Sequence, residues 1–120
     1  MKWLSLHVGG QRIAVHIVRP SHPKLDGCYG MYLPDECLIY LSSELEGGAL
    51  QDTLWHELDH AVNDIAGVSN LLGEAVRGRH GRRGGKRVEE LEERIVRART
   101  PIWHRLLKDL GFRFPKGPRE

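Results

Sequence analysis

An α+β fold is predicted by three features of the sequence. Residues 3–8 and 11–18 alternate apolar and polar side chains around Gly9-Gly10, residues 50–65 carry apolar side chains at helical spacing, and residues 88–110 do so again. The expected architecture is a set of N-terminal antiparallel hairpins forming a twisted sheet, packed on one helix and followed by a second long C-terminal helix, in a single domain spanning residues 1–120. With 120 residues, 40% of them hydrophobic and 28% charged, the chain can bury one modest core. No apolar run approaches the roughly 18 residues of a membrane span. Residues 1–7 lack the apolar centre of a signal peptide, so a cytoplasmic protein without membrane contact is expected.

Gly9-Gly10 supplies the positive φ angles of a two-residue hairpin turn, which aligns Leu4, Leu6 and Val8 with Val15, Ile13 and Gln11. His7 and His16 point away from most of these apolar residues and read as solvated strand residues. Pro20, Pro23 and Gly27 mark a connection. Two more strands are expected at residues 28–33 and 36–41, joined by a two-residue turn at Pro34-Asp35 that pairs Cys28 with Leu41 and Cys37 with Tyr32. The two cysteines then do not meet, and both are expected to be reduced. Alternation of Cys37, Ile39 and Leu41 with Leu38 and Tyr40 predicts a strand largely covered on both faces.

The first helix holds the densest chemistry. Leu50, Leu54, Leu58, Ala61 and Ile65 form one stripe, and Gly67 is a stop signal. The same helix carries His56-Glu57-Leu58-Asp59-His60, an H-E-x-x-H sequence whose two histidines fall nearly opposite that stripe. Residues four apart on a helix project side by side, so His56 and His60 can grip one metal ion, with Glu57 beside them. Two imidazoles, one further protein ligand and a water make the open tetrahedral site of a catalytic zinc, at which a carboxylate such as Glu57 acts as general base. Peptide-bond hydrolysis is the reaction that such a set serves. Chance spacing in a chain with seven histidines is the competing reading, and the helical phase and the stop at Gly67 weigh against it.

Residues 77–87 hold six cations and four glycines and no apolar residue, which predicts an exposed basic loop. Its cations, from Arg77 to Arg87, could contact nucleic acid, although no aromatic residue is present to stack on a base. The second helix, residues 88–110, carries the stripe Val88, Leu91, Ile95, Ala98, Ile102 and Leu106, with a possible bend at Thr100-Pro101. A frayed tail is expected at residues 116–120.

The third ligand is sought in the acidic run at the start of that second helix. With the apolar stripe taken as the inward direction, Glu92 lies about 60° from its centre, and Glu89, Glu90 and Glu93 lie about 120°, 140° and 160° away. Glu92 is therefore the expected third ligand, with Glu89 and Glu93 behind it. Asp64, one turn beyond His60, is expected to support the site by hydrogen bonding to a ligating imidazole or a neighbour. Tyr29, Tyr32, His80 and His104 are candidates for stabilising an oxyanion.

These residues resemble the zincin metallopeptidases, in particular the small phage and bacterial proteins of the ImmA/IrrE group. The likeness covers about residues 28–110. It is carried by Tyr29-x-x-x-Leu33, Leu38-Ile39-Tyr40-Leu41, Thr53-Leu54-Trp55-His56-Glu57-Leu58-Asp59-His60-Ala61 and Glu92-Glu93-Arg94-Ile95-Val96. It implies a zincin-like domain holding Zn2+ in the gluzincin manner, with Glu92 matching the family's downstream glutamate. A protein substrate, such as a regulator, would lie extended along the sheet edge. Asp59 departs from the family's usual glycine. Asn63 and Ala66 stand where a metzincin has Gly and His, so that class is not matched. The alternative is a catalytically silent zincin-like module that binds protein or nucleic acid through the basic loop.

Overall fold

The computed structural model describes residues 1–68, 71, 84–112 and 117–118, with backbone alone at 84–87. Four strands form one sheet: β1 (Lys2–Val8), β2 (Gln11–Val18), β3 (Gly30–Leu33) and β4 (Leu38–Ser42). Two long helices follow, α1 (Gly47–Ile65) and α2 (Gly84–Asp109). The α+β class is therefore as expected.

The first hairpin has the predicted register, with Val8 opposite Gln11, Leu6 opposite Ile13 and Leu4 opposite Val15. Gly9 and Gly10 take φ values of +55° and +82°, the backbone that a tight turn matched to strand twist requires. An irregularity between Lys2 and Leu4 ends the regular pairing.

The second hairpin corrects the expected register by two residues. Gly30 faces Leu41, Tyr32 faces Ile39 and Leu33 faces Leu38, so the loop is the four residues Pro34, Asp35, Glu36 and Cys37. Proline holds φ near −65°, whereas the first position of a two-residue hairpin turn needs a positive φ. The chain instead makes successive turns, with Glu36 N–H donating to Leu33 O and Cys37 N–H to Pro34 O, both at 3.3 Å, and Cys37 supplies the left-handed residue at φ +53°. Cys28 and Cys37 are both free thiols.

The sheet order is β1-β2-β4-β3, and β2 pairs with β4 in parallel. A sheet of antiparallel hairpins alone is thus corrected to a mixed sheet. The connection after β2 passes through a short 3-10 turn, Pro23–Leu25, whose Leu25 is fully buried against β3 and β4. It delivers β3 to the outer edge, and β4 then returns between β3 and β2.

Ile13, Val15, Ile39 and Leu41 on one sheet face meet Leu50, Leu54 and Ala61 of α1, with Leu58 and Ile65 packed at the rim. The predicted apolar stripe of α1 is the stripe that packs on the sheet. Leu54 is 1% exposed in this contact, so Leu54→Ala is expected to cost about 2–5 kcal/mol, read as a lowered midpoint in urea unfolding.

The apolar stripe of α2 does not play the matching part. Ala98 is exposed, Ile102 is 69% exposed and Leu106 46%, while Val96 and Thr100 are buried. The inward face is rotated from the predicted one by about 100°, one residue's worth of helical turn. Because α1 spends its apolar face on the sheet, it offers α2 a polar face, and α2 answers with polar residues. Arg99 donates to both carboxylate oxygens of Asp59 and, at 2.7 Å, to Asn63 Oδ1, and Thr100 donates to Asp59 at 2.9 Å. Asp59 is therefore the anchor that joins the two helices. The helix continues through Pro101. Residues 84–87, expected in the basic loop, belong to α2. The rest of that loop, including Arg77 and His80, and most of the tail lie outside the described residues.

Candidate metal centre

Asp52, His56, His60 and Asp64 stand at four-residue intervals along α1, on the side that faces β3 and α2. All four line one cleft of about 970 Å³, with Tyr29 to Tyr32 of the sheet edge on one wall and Glu89, Glu92, Glu93 and Arg97 on the other. The helices pass in opposite directions, since Asp52 meets His104 and His60 meets Glu92.

Glu93 holds the two imidazoles together. Its Oε1 lies 3.0 Å from His56 Nε2 and its Oε2 lies 2.9 Å from His60 Nε2. The ligand atoms of His56, His60 and Glu93 all lie within 4.8 Å of one another. Glu92, the expected third ligand, stands outside this group of three. Glu92 reaches the other side of the same ring, with Oε1 3.0 Å from His60 Nδ1. Rotation of α2 is the physical reason, because it carries Glu93 into the position that the apolar stripe had assigned to its neighbour. The polar face of α1 was the signal that could have found it. A helix presenting His56, Asp59, His60 and Asn63 calls for a polar partner face, and Glu89, Glu93 and Arg97 form one at four-residue spacing.

The charges follow from this packing. Burial pulls the His60 pKa down, but the Glu92 hydrogen bond and the nearby carboxylates of Glu57 and Glu93 outweigh it, and the net shift is upward. His56 moves the other way, lowered by burial against a weaker pull from Glu93. Burial alone would raise Glu93, yet the two imidazoles and Arg97 bring it below the ordinary carboxylate value.

Glu57 sits apart from the cluster, under the sheet edge. It is 8% exposed, and burial raises its pKa against the opposing effects of His60 and of the Tyr32 backbone N–H, which donates to its carboxylate. Gly30 permits this approach. A Cβ there would lie 2.7 Å from Thr53 Cγ2 and 3.2 Å from Glu57 Cγ. Gly30→Ala is expected to push β3 off α1 at a cost of about 1–3 kcal/mol, and Thr53→Ser, which removes the contacted methyl, is expected to restore much of it in urea unfolding.

Asp64 does not touch an imidazole. It accepts a hydrogen bond from Tyr32 Oη at 2.8 Å, closing the far end of the cleft, and burial followed by this bond raises the Tyr32 pKa. Of the oxyanion candidates, Tyr32 and the 62% exposed Tyr29 line the cleft. His104 lies beyond it, 2.6 Å from Asp52, and His80 is outside the described residues.

The donor set suits zinc. Two imidazole nitrogens and a carboxylate oxygen within 4.8 Å of one another are the donor types that zinc takes at about 2.0–2.2 Å in tetrahedral geometry. Glu92 on His60 Nδ1 is the kind of outer carboxylate that fixes a ligating ring with Nε2 turned to the metal. Comparison of the chain with protein-family models, with curated proteins and with solved structures returned no match.

Proposed function

We propose that this chain is a zinc metallopeptidase of zincin-like fold, in which His56, His60 and Glu93 hold Zn2+ and Glu57 is the general base. The observation that carries the reading is the convergence of two imidazole nitrogens and one carboxylate within 4.8 Å, in a cleft that also contains a buried carboxyl group. Zinc in that position supplies Lewis-acid polarisation of the scissile carbonyl and lowers the pKa of water to about 7. Glu57, its proton affinity raised by burial, takes a proton from the attacking water and delivers it to the leaving amine. Because β3 is an edge strand and forms one wall of the cleft, a substrate peptide lies extended beside it. The protein substrate is of the kind the ImmA/IrrE resemblance suggests, such as a regulator.

Removal and return of metal test this. Chelated protein is expected to cleave no member of a broad peptide library, and one equivalent of zinc restores cleavage. Zinc bound without any cleavage would instead favour a structural staple or a silent interaction module. The same titration carries a pH signature. A His60 pKa raised above the ordinary 6.5 means that the ring is mostly protonated at pH 6.5, so zinc must displace a proton there. Calorimetry in buffers of different ionisation enthalpy is expected to record that release at pH 6.5 and its loss as the pH rises through the His60 pKa.

A further inference from the structure

A second cavity, of about 360 Å³, adjoins the metal cleft and shares Asp52, His56 and Arg97 with it. Its remaining polar wall comes from Thr100, His104, Arg105 and Lys108 of α2. The surface of α2 thus changes sign within one turn, from Glu89 and Glu93 in the cleft to Arg97 at the boundary and Arg105 and Lys108 beyond it.

These cations are not neutralised inside the cavity. Among the described residues Asp52 is the only acid in its lining, and its Oδ1 lies 2.6 Å from His104 Nδ1. Arg97 donates through Nε to Glu93 at 3.1 Å, and Arg105 through Nε to Asp109 at 3.1 and 3.2 Å. Neither acceptor lines this cavity. Both bonds use Nε, which leaves the terminal nitrogens of each guanidinium for a further acceptor. Lys108 has no ion-pair partner among the described residues. The cavity is too small for a macromolecular surface and large enough for one side chain.

We propose that the cleft selects peptides bearing an acidic side chain, Asp or Glu, on the Arg97 side of the metal cluster. The substrate carboxylate is held by the terminal nitrogens of Arg97 and Arg105 and by the Lys108 ammonium. The inference rests on the peptidase reading for its substrate and on the cavity for its charge. Arg97 and Arg105 side chains are 74% and 80% exposed, so the attraction is solvent-screened, and a preference of about fivefold is expected at low salt.

The test uses the full zinc-loaded chain and peptide libraries in which one position at a time is fixed as Glu or as its uncharged isostere Gln. At one position, Glu is expected to be cleaved about fivefold better than Gln, less so in roughly 0.5 M salt, and the double variant R105E/K108E is expected to reverse the preference. Circular dichroism checks that this variant folds; should it not, the neutral K108Q is expected to weaken the preference. Ratios within about twofold at every position, or a preference unchanged in the variants, overturn the proposal. If no peptide is cleaved the peptidase reading fails, and the same paired libraries are measured by fluorescence anisotropy. Tighter binding of Glu peptides, lost in the variant, then supports the acidic subsite by itself, and equal binding overturns it.

Discussion

Glu57→Gln is expected to lower kcat/KM for peptide cleavage by about 10²–10⁴-fold or more while leaving zinc content unchanged. The glutamine is nearly isosteric, and its amide oxygen still accepts the Tyr32 N–H that the carboxylate accepts. What it lacks is the capacity to take a proton. Glu57 takes no part in the ion pairs that join His56 and His60 to Glu93, so the cluster is undisturbed. Stability is not expected to fall, because the substitution removes a carboxyl that is 8% exposed and that burial disfavours as an anion. Metal analysis, thermal unfolding and steady-state kinetics on one preparation check all three parts. Retained cleavage would remove Glu57 from the chemistry.

Glu93→Gln and Glu92→Gln are expected to separate by their effects on zinc. Glu93 approaches both Nε2 atoms, at 3.0 and 2.9 Å, so its loss removes the proposed third ligand and leaves the imidazole pair without its anion. Glu92 approaches only His60 Nδ1, at 3.0 Å, and its loss weakens the orientation and basicity of one ring. An outer carboxylate of this kind is worth about 10–100-fold in affinity. Glu93→Gln should therefore exceed about 100-fold and Glu92→Gln should fall within that range, measured against a competing chelator. By linkage, a 100-fold weaker Kd withdraws about 2.7 kcal/mol of zinc-dependent stabilisation, so the thermal shift on adding zinc shrinks accordingly. The opposite order would restore Glu92 to the ligand position.

The parts of the fold legible from sequence were those governed by local chemistry. Gly9-Gly10 admits one hairpin register, and Leu4, Leu6 and Val8 then face Val15, Ile13 and Gln11. The α1 stripe from Leu50 to Ile65 meets the sheet as its spacing predicts, which in turn directs His56 and His60 off the core. Two features depended on partners that no local window contains. The parallel pairing of β2 with β4 comes from a connection that carries the chain past its neighbour to the sheet edge. The phase of α2 is set by Asp59, Asn63 and the imidazoles, so a rule that points apolar residues inward chose Glu92 over Glu93. The Pro34-Asp35 turn failed for a local reason, because a proline φ cannot open a two-residue hairpin turn. Glu57 was identifiable as a candidate base from its motif, but its burial beneath Gly30 and its bond from the Tyr32 N–H needed the sheet edge to be in place.

X-ray absorption at the zinc edge, on the full chain loaded with one equivalent of zinc, tests the central claim most directly. The expected spectrum has two imidazole nitrogens and light oxygen donors at about 2.0–2.2 Å, and the imidazole scattering disappears in His56→Ala/His60→Ala. A wild-type chain that takes up no zinc, or zinc whose shell contains no imidazole, would contradict the account.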